Sequence, residues 1–491
     1  WACQTLGVVV VPIYPTLPAD QAQYIVRDSG AKVVLCGDAS QAKKVETLEG
    51  VRVVNLTGPG SISESAQQVS DSLSDSEWNT AIDAVTSDDV ATIIYTSGTT
   101  GLPKGAMLAH RGFLSLFKVI PQQLPVDETD RFLCFLPMSH VFERTDGHFL
   151  PISLGASIVY AKSLMTLASD IQNGHPTVML VVPRFLEATM DKILDGLKKQ
   201  KPIRQWLFRL GLEQGKRKFH GKLAPWFWLT DKLVGAKIRD RMGGKLRFFA
   251  AGGAALPAHV AEFYGAFGLK VLQGYGLTET YSGVCVNHPD RNRYDTVGEV
   301  FPGVEIKIAE DGEILFKGDA RMIGYWNLPE ETAQAIDEGG WFHTGDIGQL
   351  DGKYLKITDR KKDLLVLGNG KNVAPQPIEN KLRSSPFIQE AVVLGDGMDY
   401  CVALIVPNAE AIRSKLDQKD LSKLSENSGV KALVKGEIDA INKSLANFEM
   451  VKKHAILDQP FTIESGELTP TLKVKRKVVK ERYSDIIAGL R

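Results

Sequence analysis

The run Tyr95-Thr-Ser-Gly-Thr-Thr-Gly-Leu-Pro-Lys-Gly105 carries side chains suited to holding phosphate. It follows an apolar run, Val90 to Tyr95, that reads as a buried strand, and it precedes a new periodic segment. Backbone N–H groups around Gly98 and Gly101 and the hydroxyls of Thr96, Ser97, Thr99 and Thr100 can curl around phosphate oxygens, with Lys104 as a cation. It is not a Walker loop. In the frame of Gly98, Pro103 stands where glycine is required and Gly105 where Ser or Thr would hold magnesium.

Four further motifs carry chemistry. Gly274-Tyr-Gly-Leu-Thr-Glu-Thr280 follows a predicted strand; Tyr275 can stack on a purine, and Glu279 can hold magnesium opposite phosphates, with Gly276 and Thr278 beside them. Its Gly-x-Gly lacks the third glycine of the dinucleotide fingerprint, which argues against hydride transfer. Ala251-Gly-Gly-Ala-Ala-Leu256 places Gly252 and Gly253 in a side-chain-poor floor that a flat ring can approach. Trp341-Phe-His-Thr-Gly-Asp346 ends in an acid placed to accept ribose hydroxyls, and Leu468-Thr-Pro-Thr-Leu-Lys473 puts one lysine after a turn-like segment. Singly, each has a plain structural explanation: a capping acid, a turn residue, a surface lysine.

The elements that must position these residues read as α/β. Strands predicted at Val8–Val11, Lys32–Cys36 and Val51–Leu56 alternate with helical stretches such as Ala19–Asp28, and Ser61 to Asp89 reads as a surface excursion. Further strands are predicted at Arg131–Leu136, Ser157–Tyr160, Val178–Val182, Leu246–Ala250 and Lys270–Gln273. Asp311-Gly312 between Ile306–Ile308 and Glu313–Phe316 signals a hairpin and a β-rich subdomain. The charge run Asp359-Arg-Lys-Lys-Asp363 marks a boundary, giving a large multi-layer unit with mixed sheets over residues 1–360 and a small α+β unit over 361–491.

The 491 residues suffice for two or more cores, and 58 basic against 58 acidic residues give no overall attraction to nucleic acid. Five scattered cysteines (Cys3, Cys36, Cys134, Cys285, Cys401) form no C-x-x-C pair, which argues against a disulfide framework or zinc site and fits a reducing, cytoplasmic compartment. No apolar run reaches the roughly 18–20 residues of a membrane span, and no signal peptide is visible. The chain opens at Trp1 directly into Gly7-Val-Val-Val-Val-Pro12, so an N-terminal portion is expected to be missing.

One segment departs from this balance. Residues 198–247 carry 15 Lys/Arg against three acids, Glu213, Asp231 and Asp240, and hold Trp206, Trp226 and Trp228. Ile203, Trp206, Leu207 and Leu210 fall on one helical face. Basic residues beside such a stripe suit a helix lying in a lipid interface, on the inner face of a membrane. The same composition also suits a solvated basic helix packed on its own domain. No nucleic-acid module accompanies the charge.

In order and spacing, the five motifs resemble those of the adenylate-forming superfamily of acyl-CoA synthetases, luciferases and peptide-synthetase adenylation domains. The resemblance runs from about Gly7 to the C-terminus. Leu136-Pro-Met-Ser-His-Val-Phe-Glu-Arg144 and the basic insertion before Arg247-Phe-Phe-Ala-Ala-Gly-Gly253 resemble the long-chain fatty-acyl-CoA synthetases in particular. The resemblance implies that Thr96 to Lys104 grips the β- and γ-phosphates of ATP, that Tyr275 stacks on adenine, and that Glu279 with Thr96 binds Mg2+. It implies that Asp346 and Arg360 hold the ribose, with Gly252 and Gly253 beneath the base and His140 beside the acyl pocket. Lys362 matches the hinge of a mobile C-terminal domain, Gly368 to Asn372 (with Gly370 and Lys371) the pantetheine tunnel, and Lys473 the catalytic lysine. Leu472 stands where many relatives have glycine, which leaves Lys475 as the alternative lysine.

The activity so implied is ATP-dependent joining of a long-chain fatty acid to coenzyme A through an acyl-adenylate, releasing AMP and pyrophosphate. Two alternatives share the residues: transfer to an acyl carrier protein, and a catalytically inactive lipid-binding or membrane scaffold.

Overall fold

The computed structural model describes residues 1–58, 61–62, 64, 74–96, 102–416, 423–462, 465–468 and 474–490. Its main feature is an eleven-stranded sheet of two halves. Ser157–Tyr160, Arg131–Cys134, Val178–Val181, Phe248–Ala251 and Lys270–Tyr275 lie side by side and parallel. From Lys270–Tyr275 the sheet continues antiparallel through Cys285–Val286, Gly298–Val300, Tyr354–Arg360, Phe342–Asp351, Glu313–Lys317 and Glu305–Ile308. The Asp311-Gly312 hairpin forms as the sequence predicts, with Gly312 at φ 85° in the turn.

Side-chain alternation along the parallel strands feeds two cores. Phe132, Val178 and Phe248 join one buried cluster; their neighbours Leu133, Met179 and Phe249 join another on the opposite face. A parallel strand covered on both faces must be apolar throughout, as Val178–Val181 is. The covering helices include Pro183–Lys198, Pro202–Phe219 and Ala258–Ala266. Because every parallel strand points the same way, their C-terminal ends open on one edge, where ligands bind in such sheets.

A second sheet pairs Val90–Thr96 with Lys104–Ala109 and the latter with Gly324–Tyr325, all antiparallel. The glycine-rich loop is therefore a hairpin connection, with Thr96 directly opposite Lys104. The next helix in sequence, His110–Gln123, starts only after the return strand Lys104–Ala109.

One sequence expectation is corrected. Val8–Val11 is not a core strand. Val10 makes a single parallel bridge to Thr92, and Val8 is 51% exposed. The helix Pro202–Phe219 leaves Ile203 and Trp206 of the apolar stripe exposed, and its buried positions are Phe208, Gly211, Gln214 and Gly215. The reason is close approach. A Cβ on Gly215 would lie 2.0 Å from the Ala266 carbonyl oxygen, so glycine and not bulk marks the packed face.

Beyond Lys361–Asp363, Cys401–Pro407 lies between Ile388–Leu394 (antiparallel) and Val451–Ile456 (parallel). The strand Cys401–Pro407 is buried at every position, and its residues alternate between two cores: Ala403 and Ile405 in one, Val402 and Leu404 in the other. Arg476 ties the helix Arg476–Arg482 to this unit, donating to the Val393 carbonyl at 2.7 Å and pairing with Glu379 at 2.8 Å. Two contacts reach back to the larger unit. Asp359 Oδ2 accepts the Gln376 N–H at 3.1 Å, and Arg383 lies 3.8 Å from Glu187.

Candidate active site

The strand Lys270–Tyr275 delivers Tyr275 to the open edge of the sheet, and the ladder between Phe342–Asp351 and Tyr354–Arg360 sets Asp346 opposite Arg360. The three side chains meet. Tyr275 donates its hydroxyl proton to Asp346 Oδ2 at 2.6 Å, and Arg360 Nε lies 3.0 Å from Asp346 Oδ1. Burial, then the Asp346 charge, hold the Tyr275 hydroxyl well above its ordinary pKa, so the tyrosine stays a neutral donor. Beside them, Thr344, Gly345, Arg360, Lys361 and Lys362 line an open cavity of about 360 Å³. Gly345 has φ 69° and nothing within 4 Å of where a Cβ would be, which leaves a smooth wall. Burial and the Arg360 charge lower the Lys362 pKa.

Past Tyr275 the chain turns through Gly276 into the short 3-10 helix Thr278–Thr280. Glu279 Oε1 accepts the Tyr325 hydroxyl at 2.8 Å, and the Glu279 carbonyl accepts the Met322 N–H at 2.8 Å. Lys104 pairs with Glu331 and stands over the Tyr325 ring, 5.4 Å from its centroid. One tyrosine thus bridges the two expected charge-bearing groups, with the cation on its face and the carboxylate on its hydroxyl. Neither Tyr325 nor Glu331 is among the residues expected from sequence. The only local signal is Gly324, which pairs across to Met107 and brings Tyr325 alongside the loop's return strand.

Gly252 follows the strand Phe248–Ala251 and donates its N–H to the Val181 carbonyl at 3.1 Å. A Cβ there would lie 3.1 Å from the Phe142 ring, so Phe142 rests on the expected glycine floor; Gly253 has φ 81°. His140 Nδ1 accepts the Phe142 N–H at 3.1 Å, which seats both residues of the aromatic-and-histidine segment. Gly370 and Lys371 sit in the turn between Leu365–Val366 and Asn372–Val373 of the C-terminal unit, where Lys371 lies 4.8 Å from the centre of the Phe448 ring. Ser97, Gly98, Thr99, Thr100, Gly101 and Lys473 lie outside the described residues.

Comparison with known proteins matches the AMP-binding enzyme family over residues 1–326 and the AMP-binding enzyme C-terminal domain over 362–490. The chain belongs to the AMP-binding enzyme family. Among its relatives is long-chain-fatty-acid–CoA ligase FadD15 of Mycobacterium bovis, 34% identical over 518 residues, covering 100% of this enzyme and 85% of the relative. Peroxisomal long chain acyl-CoA synthetase 6 of Arabidopsis thaliana is 31% identical over 528 residues, covering 100% and 75%. Among solved structures, ATP-bound MatB from Rhodopseudomonas palustris matches with a TM-score of 0.73 at 25% identity, covering 98% of this enzyme and 84% of that chain. The adenylate-forming fold, with a large mixed-sheet unit and a smaller C-terminal one, is shared with these structures.

Oxygen donors are what Mg2+ takes, and the Glu279 carboxylate, held by the Tyr325 hydroxyl, and the Thr96 hydroxyl, on the residue opposite Lys104, are both of that kind. The donor set fits. Among the described residues no helix is long and apolar enough to cross a membrane.

Proposed function

We propose that this AMP-binding enzyme is an AMP-forming ligase that joins a long-chain fatty acid to coenzyme A. The observation that carries the reading is the convergence of Tyr275, Asp346 and Arg360 at the open edge of the sheet. Relatives matched over the whole chain that are long-chain ligases, at 31–34% identity, support it.

A carboxylate is a poor acyl donor because oxide would have to leave. Attack of the carboxylate oxygen on the α-phosphorus of ATP expels pyrophosphate and makes AMP the leaving group. Catalysis there is positioning and charge neutralisation. Tyr275 and the Gly252–Gly253 floor hold the base, while Asp346 and Arg360 hold the ribose. Thr96 to Lys104 grips the phosphates that depart. Mg2+, held by Glu279 and Thr96, would offset charge on the triphosphate when bound. Lys473 bridges the fatty carboxylate and the α-phosphate, and His140 and Phe142 flank the acyl chain. Rotation at Lys362 then brings Gly370 and Lys371 round to guide the incoming thiol, which attacks the acyl carbon and displaces AMP.

Lys473 acts in the first step alone. Lys473→Ala is expected to abolish fatty-acid-dependent pyrophosphate release while thioester formation from supplied acyl-AMP persists; equal loss of both sinks the assignment. Running the intact enzyme with palmitate, ATP and either coenzyme A or an acyl carrier protein identifies the acceptor, and absence of pyrophosphate release with any fatty acid would leave the scaffold reading.

Peripheral membrane contact is supported by the exposed side chains of one segment. Trp206, Leu223, Trp226 and Trp228 are exposed on the basic segment, Leu223 at 85% and Trp228 at 69%. Large apolar side chains beside lysines fit the boundary between lipid headgroups and acyl chains.

A further inference from the structure

The residues that follow Glu279 hold a strained stretch of backbone. Tyr281 and Ser282 have φ of 58° and 77°, consecutive non-glycine residues in the left-handed region; the other described cases, His175 and Asn327, are single. Such a turn persists only where its surroundings impose it. Three contacts do so. The buried Tyr281 ring fills a notch at Gly112, where a Cβ would fall 2.2 Å from it, and its hydroxyl donates to the Ala109 carbonyl at 3.0 Å. Gly276 lacks the Cβ that would lie 1.9 Å from the Ser282 carbonyl oxygen. The Ser282 hydroxyl donates to Asp146 Oδ2 at 2.8 Å.

The third contact differs in kind because it reaches the element that follows His140 and Phe142. Asp146 lies in the π-helix Glu143–Phe149, which begins just after His140 and Phe142. A π-helix is an uncommon, costly conformation found often at functional sites. This one is polar inside. Of nine buried side-chain N or O atoms without a hydrogen bond among the described residues, six lie between Ser139 and Asp146. Buried polar atoms at that density do not arise from packing for stability.

We propose that Asp146 is a positioning residue for the metal carboxylate: through Ser282 it holds the left-handed turn that presents Glu279, and so couples the acyl-side helix to magnesium–ATP binding. The proposal rests on the roles assigned above to Glu279 and to the His140–Phe142 segment. A fatty acid seated against Phe142 presses on the element carrying Asp146, and one hydroxyl–carboxylate bond links that element to the turn after Glu279.

Mn2+ serves as the probe for the metal, titrated by electron paramagnetic resonance into the full-length chain with ATP, with and without palmitate. Asp146→Ala and Ser282→Ala are each expected to weaken Mn2+ binding about tenfold, the loss of one hydrogen bond, and the double variant no further. Asp146→Asn, which keeps the acceptor oxygen, restores most of the affinity. Palmitate tightens Mn2+ binding in the parent and not in Ser282→Ala, while thioester formation from supplied acyl-AMP stays at the parental rate in all four. Unchanged Mn2+ affinity, additive losses, or a palmitate effect that survives Ser282→Ala overturns the proposal. If Asp146→Ala does not fold, Ser282→Ala decides the same question. Failure of the parent enzyme to release pyrophosphate with any fatty acid would instead remove the functional reading beneath it.

Discussion

The Tyr275 hydroxyl donates to Asp346 across 71 residues of sequence, and Asp346, 3% exposed, meets Arg360 with its other oxygen. The expected ribose-binding acid therefore already has both oxygens engaged by protein groups. Tyr275→Phe removes one donor from a buried carboxylate and is expected to cost about 1–3 kcal/mol. A nucleotide hydroxyl can replace the lost donor, so AMP should recover more of the melting temperature in Tyr275→Phe than in the parent. Asp346→Ala should lose the AMP-induced shift altogether. Thermal melts with and without AMP make the comparison, and equal shifts in all three proteins would refute it.

Lys104 must leave Glu331 before it can meet a phosphate. Glu331 is a competitor for the cation and is itself about two-fifths exposed, so the pair is partly screened by solvent. Glu331→Gln is expected to tighten ATP binding by roughly threefold to fivefold, on the scale of a partly exposed ion pair. It should leave thioester formation from acyl-AMP unchanged. Calorimetric titration with ATP measures this; weaker binding would show that Glu331 orients Lys104 for the phosphates and does not compete with them.

Glu143 makes the pH dependence of stability testable. Burial, with the Asp146 charge added, pushes its carboxyl from its ordinary 4.5 to about 8. Cys134, Asp146 and Tyr160 are the ionisable groups that face it. Between those two values the folded chain holds a proton that the unfolded chain has lost, so stability falls as pH rises from about 4.5 to about 8. Asp146, raised to about 7 by burial, adds to the same slope up to that point. Glu143→Gln keeps the shape and removes the titration. Urea midpoints from pH 6 to 9 should fall in the parent and much less in Glu143→Gln, with the two curves closest at low pH. Parallel curves would mean that Glu143 is already ionised at neutral pH.

What is legible in the sequence follows from locality. Each motif is recognisable because an apolar run ends where the chemistry begins, and the sheet does place Tyr275 and Gly252 at or just past the ends of such runs. The pairings are not legible. Lys104 and Glu331 are 227 residues apart, Asp146 and Ser282 136, and only strand order decides which of many acids arrives. Tyr325 escapes notice for the same reason: a two-residue edge strand carries no periodic signal. Glycine and hydroxyl content also reads alike in a hairpin and in a strand-to-helix turn, and the ladder from Val90 to Ala109 decides for the hairpin. On the helix Pro202–Phe219, Ile203 and Trp206 of the apolar stripe are exposed, while the packed face is marked by Gly211 and Gly215, which a search for bulky side chains passes over.

That exposed face supplies the last prediction. In the basic segment, Lys216 pairs with Glu262, Arg217 with Glu213, and Lys218 lies 4.0 Å from the centre of the Phe227 ring. Reversing those charges would disturb packing as well as any lipid contact. Lys199, Lys201 and Lys222 are exposed and flank Trp206 and Leu223 in sequence. Near an anionic membrane surface each lysine contributes about 1 kcal/mol. Lys199→Glu, Lys201→Glu and Lys222→Glu together should then reduce flotation with phosphatidylserine-containing vesicles by well over tenfold, an effect that high salt should erase. Trp226→Ser with Trp228→Ser should weaken binding at every salt concentration, because buried apolar area is insensitive to screening. A charge-reversed triple that floats as well as the parent would place the basic face in solvent, packed on its own domain and nothing else.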